Sequence, residues 1–233
     1  MLIVQVGEKR GFVMRYPNAQ KGVKKIFIAE ILMLIGSVFV FLAAFMGAGA
    51  SGIAEVGGAQ TEGLVAGLAL GALVSLLGAT LLPLIAYIMN LVGVVQARKD
   101  EGKNFSYALY CIVGAIVVTV ISGFFGPKSI GGSLLSAASN VLALLAFIYT
   151  IYGVRSLAAT LGRTDIVDLG NKSITFVAVL IIISVICNYI MRTFAGSQNV
   201  AGAVAIVGMI CGIIGYIFYL RFLSRASKMF DEC

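Results

Sequence analysis

Histidine and tryptophan are missing from this chain, and it contains only four cysteines. Without histidine, the chain lacks both a common metal ligand and the usual general base. No two cysteines form a C-x-x-C pair, no Walker motif occurs, and the apolar runs contain no pair of carboxylates. We therefore expect no enzyme activity, no bound metal and no cofactor.

Charged residues are also scarce. They make up 12% of the 233 residues, whereas hydrophobic residues make up 60%, and the mean hydropathy is +1.04. Soluble domains carry about 25% charged and roughly 45–50% apolar residues. The composition therefore predicts an all-α integral membrane protein.

Six apolar runs are long enough to cross a bilayer, which takes about 20 residues. Short segments rich in glycine, serine, asparagine and charge separate them. The predicted organisation is a basic arm at residues 1–25, a six-helix membrane domain at residues 26–220 and a tail at residues 221–233. The predicted spans are Ile26–Gly49, Leu64–Val95, Tyr107–Phe125, Leu134–Val154, Ile174–Met191 and Ala201–Leu220.

The basic residues predict the orientation of these spans. All but two of the 17 lysines and arginines fall in the arm, the tail and the segments after the second and fourth spans; the exceptions are Lys128 and Arg192. Positive charge concentrates on the cytoplasmic side of membrane proteins. Both termini are therefore expected in the cytoplasm, with anionic lipids of the plasma membrane, rather than nucleic acid, as the partner of the net charge of +7.

The chain also shows weak internal similarity. Each even-numbered span ends with aromatic residues and a basic residue, as in the segments that begin at Tyr87, Phe147 and Tyr216. Each odd-numbered span follows a small polar turn. The pattern predicts three parallel two-helix repeats related by an axis along the membrane normal, although biased composition alone is the alternative explanation.

The N-terminal arm alternates apolar and polar residues around Gly7 and Gly11. This pattern predicts a short β-hairpin with strands Leu2–Val6 and Phe12–Tyr16. An isolated hairpin is only marginally stable in water, so an arm without regular structure is the alternative.

One carboxylate, Glu30, lies within the first apolar run, with Ser37 two helical turns further on. Intramembrane carboxylates commonly bind a cation, a proton or a ligand amine, which makes this pair a candidate ion or ligand site. The alternative is a shallow anchor near the headgroups, in which Glu30 pairs with a lysine or arginine of a neighbouring hairpin. We favour the anchor because Glu30 is only about 7 Å deeper along the helix than Lys25.

Polar residues recur in the outer halves of the third, fourth and fifth spans. They could line an outward-facing polar cavity or simply form hydrogen bonds between helices. We favour hydrogen bonding because hydroxyl groups can also bond to their own helix backbone. The residues of this candidate cluster are Thr119, Ser122, Ser136, Asn140, Ser184, Asn188 and Arg192.

Small residues at steps of four indicate faces where helices approach closely. The second span carries Gly67, Gly71, Ser75 and Ala79, and the sixth carries Gly208 and Gly212. This spacing does not distinguish packing within the chain from packing against a partner.

These features favour a non-catalytic interaction or scaffold subunit of a membrane complex. The small-residue faces, the basic helix ends and the arm would offer surfaces to other membrane chains or to a second copy. The alternative is a transporter of a small solute or ion, or the solute-binding membrane subunit of one, which Glu30 and the outer polar cluster would support.

Overall fold

The computed structural model describes residues 16–56, 62–125, 129–193 and 198–230. Every regular element in these residues is an α-helix, which confirms the all-α prediction. The six helices are α1 (Pro17–Val56), α2 (Glu62–Ala97), α3 (Gly102–Gly123), α4 (Ile130–Thr160), α5 (Thr164–Thr193) and α6 (Gln198–Met229).

Four of these helices are long and apolar enough to cross a membrane among the described residues. Their qualifying segments are Pro17–Gly47, Val65–Ala97, Gly102–Gly123 and Leu134–Thr160. This finding supports a multi-pass membrane protein. The count of six spans stays a prediction.

α1 begins at Pro17, well before the predicted span at Ile26. Proline is favoured at the first position of a helix, and a distant carboxylate caps the start. Asp100 accepts hydrogen bonds from the Ala19 backbone N–H at 2.8 Å and the Asn18 side chain at 2.9 Å. Part of the predicted arm is therefore helical, whereas residues 1–15, which include most of the predicted β-hairpin, lie outside the described residues.

Local signals set two further turns. Glu101 caps α3 by accepting hydrogen bonds from the backbone N–H groups of Asn104 at 3.0 Å and Phe105 at 3.2 Å. After α4, Gly162 adopts a φ of 71°, a left-handed conformation that glycine reaches without steric cost. Both turns are consequently short, so α2 leads directly into α3, and α4 into α5.

The helices pack as three hairpins, α1 with α2, α3 with α4, and α5 with α6. Further contacts join α2 to α3 and α4 to α5, and α6 returns to α1. The six helices therefore form a closed ring in chain order. This arrangement is compatible with the predicted three repeats but does not establish them.

The buried core of the described residues lies at one end of the ring, which we call the packed end. There α1, α3 and α5 begin and α2, α4 and α6 end, and fully buried side chains come from each hairpin, among them Ile26, Phe105, Ile151, Ile166 and Phe222. Away from this end, large apolar side chains face outward; Phe45 is 71% exposed and Phe124 85% exposed. A surface of this kind is suited to lipid.

A close helix contact joins α1 and α2 at the packed end. A Cβ atom on Gly22 would lie 2.5 Å from the Gly93 carbonyl oxygen, and one on Gly93 would lie 2.8 Å from the Gly22 carbonyl oxygen. Further along the two helices, a Cβ atom on Gly36 would lie 2.9 Å from the ring of Pro83. Glycine at these positions lets the two backbones touch.

The predicted small-residue face of α2 packs only in part. Gly71 and the buried Ser75 lie against the Met46 side chain, and Ala79 is half-buried. Gly67 has nothing within 4 Å of its Cβ position. The side chains around Gly208 and Gly212 on α6 lie outside the described part of the structure.

Candidate functional site

Glu30 lies where α1, α2 and α6 meet. Asn90 on α2 donates a hydrogen bond from Nδ2 to Glu30 Oε1 at 3.1 Å. The Tyr216 hydroxyl on α6 lies 2.8 Å from Glu30 Oε2 and 2.6 Å from the Glu30 carbonyl oxygen. The single hydroxyl proton is therefore shared between two oxygens of the same residue.

Both side chains that hydrogen-bond to Glu30 in the described part of the chain are neutral. The sequence alone favours a lysine or arginine as the partner of this carboxylate. The helical register explains the difference, because Asn90 and Tyr216 lie deeper than the basic residues that follow them on α2 and α6. Glu30 is partly buried among these helices, so its carboxylate belongs to the interior of the ring.

A cavity of about 450 Å³ opens beside Glu30, between the first and second hairpins. Its volume is within the roughly 300–1,000 Å³ range of small-ligand sites. The polar residues on its wall are Glu30, Tyr87, Asn90, Thr119, Ser139, Thr150 and Tyr219. Most of the remaining wall is apolar, including Ile112, Ile116 and Val120 of α3 and Ala143, Ala146 and Phe147 of α4.

Small side chains on α4 account for the space. Ser139, Ala143, Ala146 and Thr150 follow one another at steps of three or four and therefore share one helical face. A face of larger residues would fill the gap between the hairpins. The Thr150 hydroxyl donates to the Ala146 carbonyl of its own helix at 2.8 Å, so it is already satisfied.

A second group of polar side chains lies about two helical turns, or roughly 10 Å, beyond Ile112 along α3. There the hydroxyls of Thr119 and Ser139 are 2.7 Å apart, and Ser139 also donates to the Ala115 carbonyl at 3.3 Å. Nearer Glu30, the Tyr87 hydroxyl donates to the Ile112 carbonyl at 3.3 Å. The cavity thus has mostly apolar walls, with the Glu30 carboxylate and the Thr119–Ser139 hydroxyl pair as two separate polar groups.

The other candidate residues fall in different places. Ser37 is exposed and donates to the Leu34 carbonyl of its own helix at 2.7 Å. Ser122 likewise donates to the Thr119 carbonyl at 2.7 Å. Ser136 and Asn140 are exposed on α4, and among the cluster members whose side chains are described Thr119 lies on the cavity wall.

Three further members of that cluster, Ser184, Asn188 and Arg192, belong to α5, but their side chains lie outside the described residues.

Sequence reasoning missed Asn90, Ser139 and Tyr216. Asn90 carried a usable signal, since it is an isolated amide within the apolar run of α2. Tyr216 resembled an interfacial aromatic residue, and Ser139 was one of several serines on α4. Only the packing of the helices distinguishes these residues from their neighbours.

The site offers binding groups more readily than catalytic ones. Glu30 is the one carboxylate on the cavity wall, and the described residues contain no group of three potential metal ligands. A G-x-G-x-x-G spacing does occur at Gly47–Gly52, but it lies within α1 rather than between a strand and a helix. A dinucleotide site requires the strand–helix context.

No protein-family model matches the chain, and neither a curated protein nor a solved structure matches it.

Proposed function

We propose that this protein is a non-catalytic, six-span membrane protein that binds a small, mostly apolar solute in the cavity between its first two hairpins. The observation that carries the proposal is a cavity with apolar walls and a carboxylate held in place by Asn90 and Tyr216. Ligand sites combine such walls with a few fixed polar groups. The role would be that of a small-solute transporter or of its solute-binding subunit.

Filling the cavity provides the test. Ala143→Phe would place an aromatic ring in the cavity, whereas Val141→Phe would enlarge a side chain that is 55% exposed on the same helix. Native mass spectrometry of the protein released from its own membranes would detect a co-purified small molecule. We expect that molecule with the wild type and Val141→Phe, but not with Ala143→Phe.

Retention of the same molecule by Ala143→Phe would place its site elsewhere. Detection of no small molecule on the wild type would contradict a tightly held solute. Circular dichroism of each variant would verify that the helices remain formed.

The membrane topology is part of the proposal. Four apolar helices and the clustering of basic residues support six spans with both termini in the cytoplasm of a plasma-membrane protein. Single cysteines introduced at Lys99, Arg163 and Glu55, in a background without native cysteines, would test it in intact cells. We expect a membrane-impermeant reagent to label position 55 only. External labelling at position 99 would overturn the orientation.

A second candidate function is that of an interaction subunit, with another membrane chain or a second copy as partner. It is supported by the surroundings of Gly67. Gly71 and Ser75 lie on the same small-residue face of α2 and contact α1, whereas nothing lies within 4 Å of the Cβ position of Gly67. Gly67→Leu should then reduce the size of the complex extracted in mild detergent, because the larger side chain would separate two touching helices. An unchanged complex would mean that Gly67 faces lipid.

A further inference from the structure

We propose that the solute is a lipophilic amine, with its ammonium group at Glu30 and its apolar body along the α3 and α4 walls. This inference rests on the proposed binding function and specifies its ligand class. Four features of the described residues carry it: the charge of the site, its remaining hydrogen-bond capacity, the aromatic side chains beside it and the polarity of the walls.

The first feature is charge. Glu30 receives hydrogen bonds from Asn90 and Tyr216, and neither residue brings a positive charge. A carboxylate removed from water is strongly disfavoured unless a cation compensates it. A protonated amine in the adjacent cavity would supply that cation, whereas an anionic solute would be repelled.

The second feature is hydrogen-bond capacity. A carboxylate has about four acceptor positions, and Asn90 and Tyr216 use one on each oxygen. An ammonium is a compact point charge with freely rotating donors, so it fits the acceptor positions that remain.

The third feature is aromatic. Tyr219 and Phe147 line the cavity, and their ring centroids are 3.9 Å apart. Tyr219 lies one helical turn after Tyr216, which bonds to Glu30. Aromatic rings attract an ammonium that lies within about 6 Å of the ring centroid, so these rings would favour the charged head further.

The fourth feature is the wall beyond the head. From Ile112 to Thr119 the α3 side of the cavity is apolar over roughly 10 Å. A metal ion would leave this surface unused and would find only one carboxylate on the cavity wall. An amine with an aryl or alkyl body would cover it.

The test compares two probes of nearly equal shape, 4-phenylbutylamine and 4-phenyl-1-butanol. The full chain would be reconstituted in nanodiscs of zwitterionic lipid, and the affinity of each probe would be measured by calorimetry with empty nanodiscs as the blank. We expect the wild type to prefer the amine by about tenfold or more, a difference of roughly 1.4 kcal/mol. This comparison needs no variant, so it holds even where a substitution prevents folding.

Two substitutions then locate the preference. Glu30→Gln should abolish it, because the amide keeps the shape and loses the charge. Asp168→Asn removes the same charge from an exposed residue on α5 and should retain it. Survival of the amine preference in Glu30→Gln would refute the assignment.

The outcomes also separate this inference from the proposed function. If the wild type binds amine and alcohol with equal affinity and Ala143→Phe binds neither, the cavity is a binding site. The same result would refute the proposal that its solute is an amine. Binding of neither probe by the wild type would overturn both proposals.

Discussion

The contact between Gly22 and Gly93 is where a single methyl group should have its largest effect on stability. In Gly22→Ala the new Cβ would lie 2.5 Å from the Gly93 carbonyl oxygen and 2.7 Å from the Ala97 backbone nitrogen. Ordinary van der Waals contact begins at 3.4 Å. Both contacted atoms are backbone, so no rotamer change relieves the clash, and α1 and α2 must separate by about 1 Å.

The free energy of unfolding should fall accordingly. Overpacking typically costs about 1–3 kcal/mol, and contact with rigid backbone puts Gly22→Ala near the upper end. Replacing a helical glycine by alanine also stabilises the helix by up to about 1 kcal/mol. The matched control Gly47→Ala on the same helix makes the same gain, because nothing lies within 4 Å of its Cβ position. The difference between the two variants, about 2–3 kcal/mol, therefore isolates the packing cost.

Two more variants place a methyl group against other neighbours, so that the loss of stability can be compared with the rigidity of the contacted atoms. Gly71→Ala meets only the flexible end of Met46, and we expect its stability to fall within about 0.5 kcal/mol of Gly47→Ala because that side chain can move. Gly93→Ala should behave like Gly22→Ala. The double variant Gly22→Ala/Gly93→Ala should lose less than the sum of the two, since one separation of the helices accommodates both methyl groups.

Unfolding in mixed micelles, followed by circular dichroism as the denaturing detergent is increased, would give these free energies. Equal stability of Gly22→Ala and Gly47→Ala would refute the close approach of α1 and α2. A large loss in Gly71→Ala would refute the distinction between flexible and rigid neighbours.

Two further predictions concern the loops. Asp100→Ala should lower the free energy of unfolding by about 0.5–2 kcal/mol, because the Ala19 N–H would lose its cap; the exposed neighbour Lys99→Ala should change little, and equal effects of the two would contradict the capping role. The Arg163 guanidinium, which bonds to the Asp165 carboxylate at 3.1 and 3.2 Å, lowers the pKa of that group. Its stabilisation is therefore present above the pKa of the unfolded chain and lost as the pH falls through the folded pKa. NMR titration should show a lowered Asp165 midpoint that rises in Arg163→Gln, and an unmoved midpoint would disprove the pairing.

The helices were predictable because their signals are local. Apolar runs and the short polar segments between them located all six helices, and the predicted span Leu64–Val95 ends within two residues of α2 on each side. The start of α1 was set too late, because Asp100, which caps it, lies more than 80 residues away along the chain. Pro17 was the one local signal for that start.

The site was less predictable because its contacts are distant in sequence. Glu30 was found as a lone carboxylate, but its partners Asn90 and Tyr216 are 60 and 186 residues away. Steps of four residues identified Gly71 as a packing residue, yet a closer approach of two helix backbones involves Gly22 and Gly93. Regular spacing identifies a face of a helix, whereas the point where two helices cross depends on how the whole ring packs.

The separation of 186 residues between Glu30 and Tyr216 has a consequence for biosynthesis. Ribosomes add about 5–20 residues per second, so roughly 10–40 s pass between the synthesis of α1 and the arrival of its partner in α6. For the first 60 of those 186 residues neither partner has been made, and from then until α6 is made Asn90 is the only one of the two that can reach the carboxylate. A chain cut short before α6 consequently leaves Glu30 with one of its two hydrogen-bond partners, and an unsatisfied polar group is costly in an apolar environment.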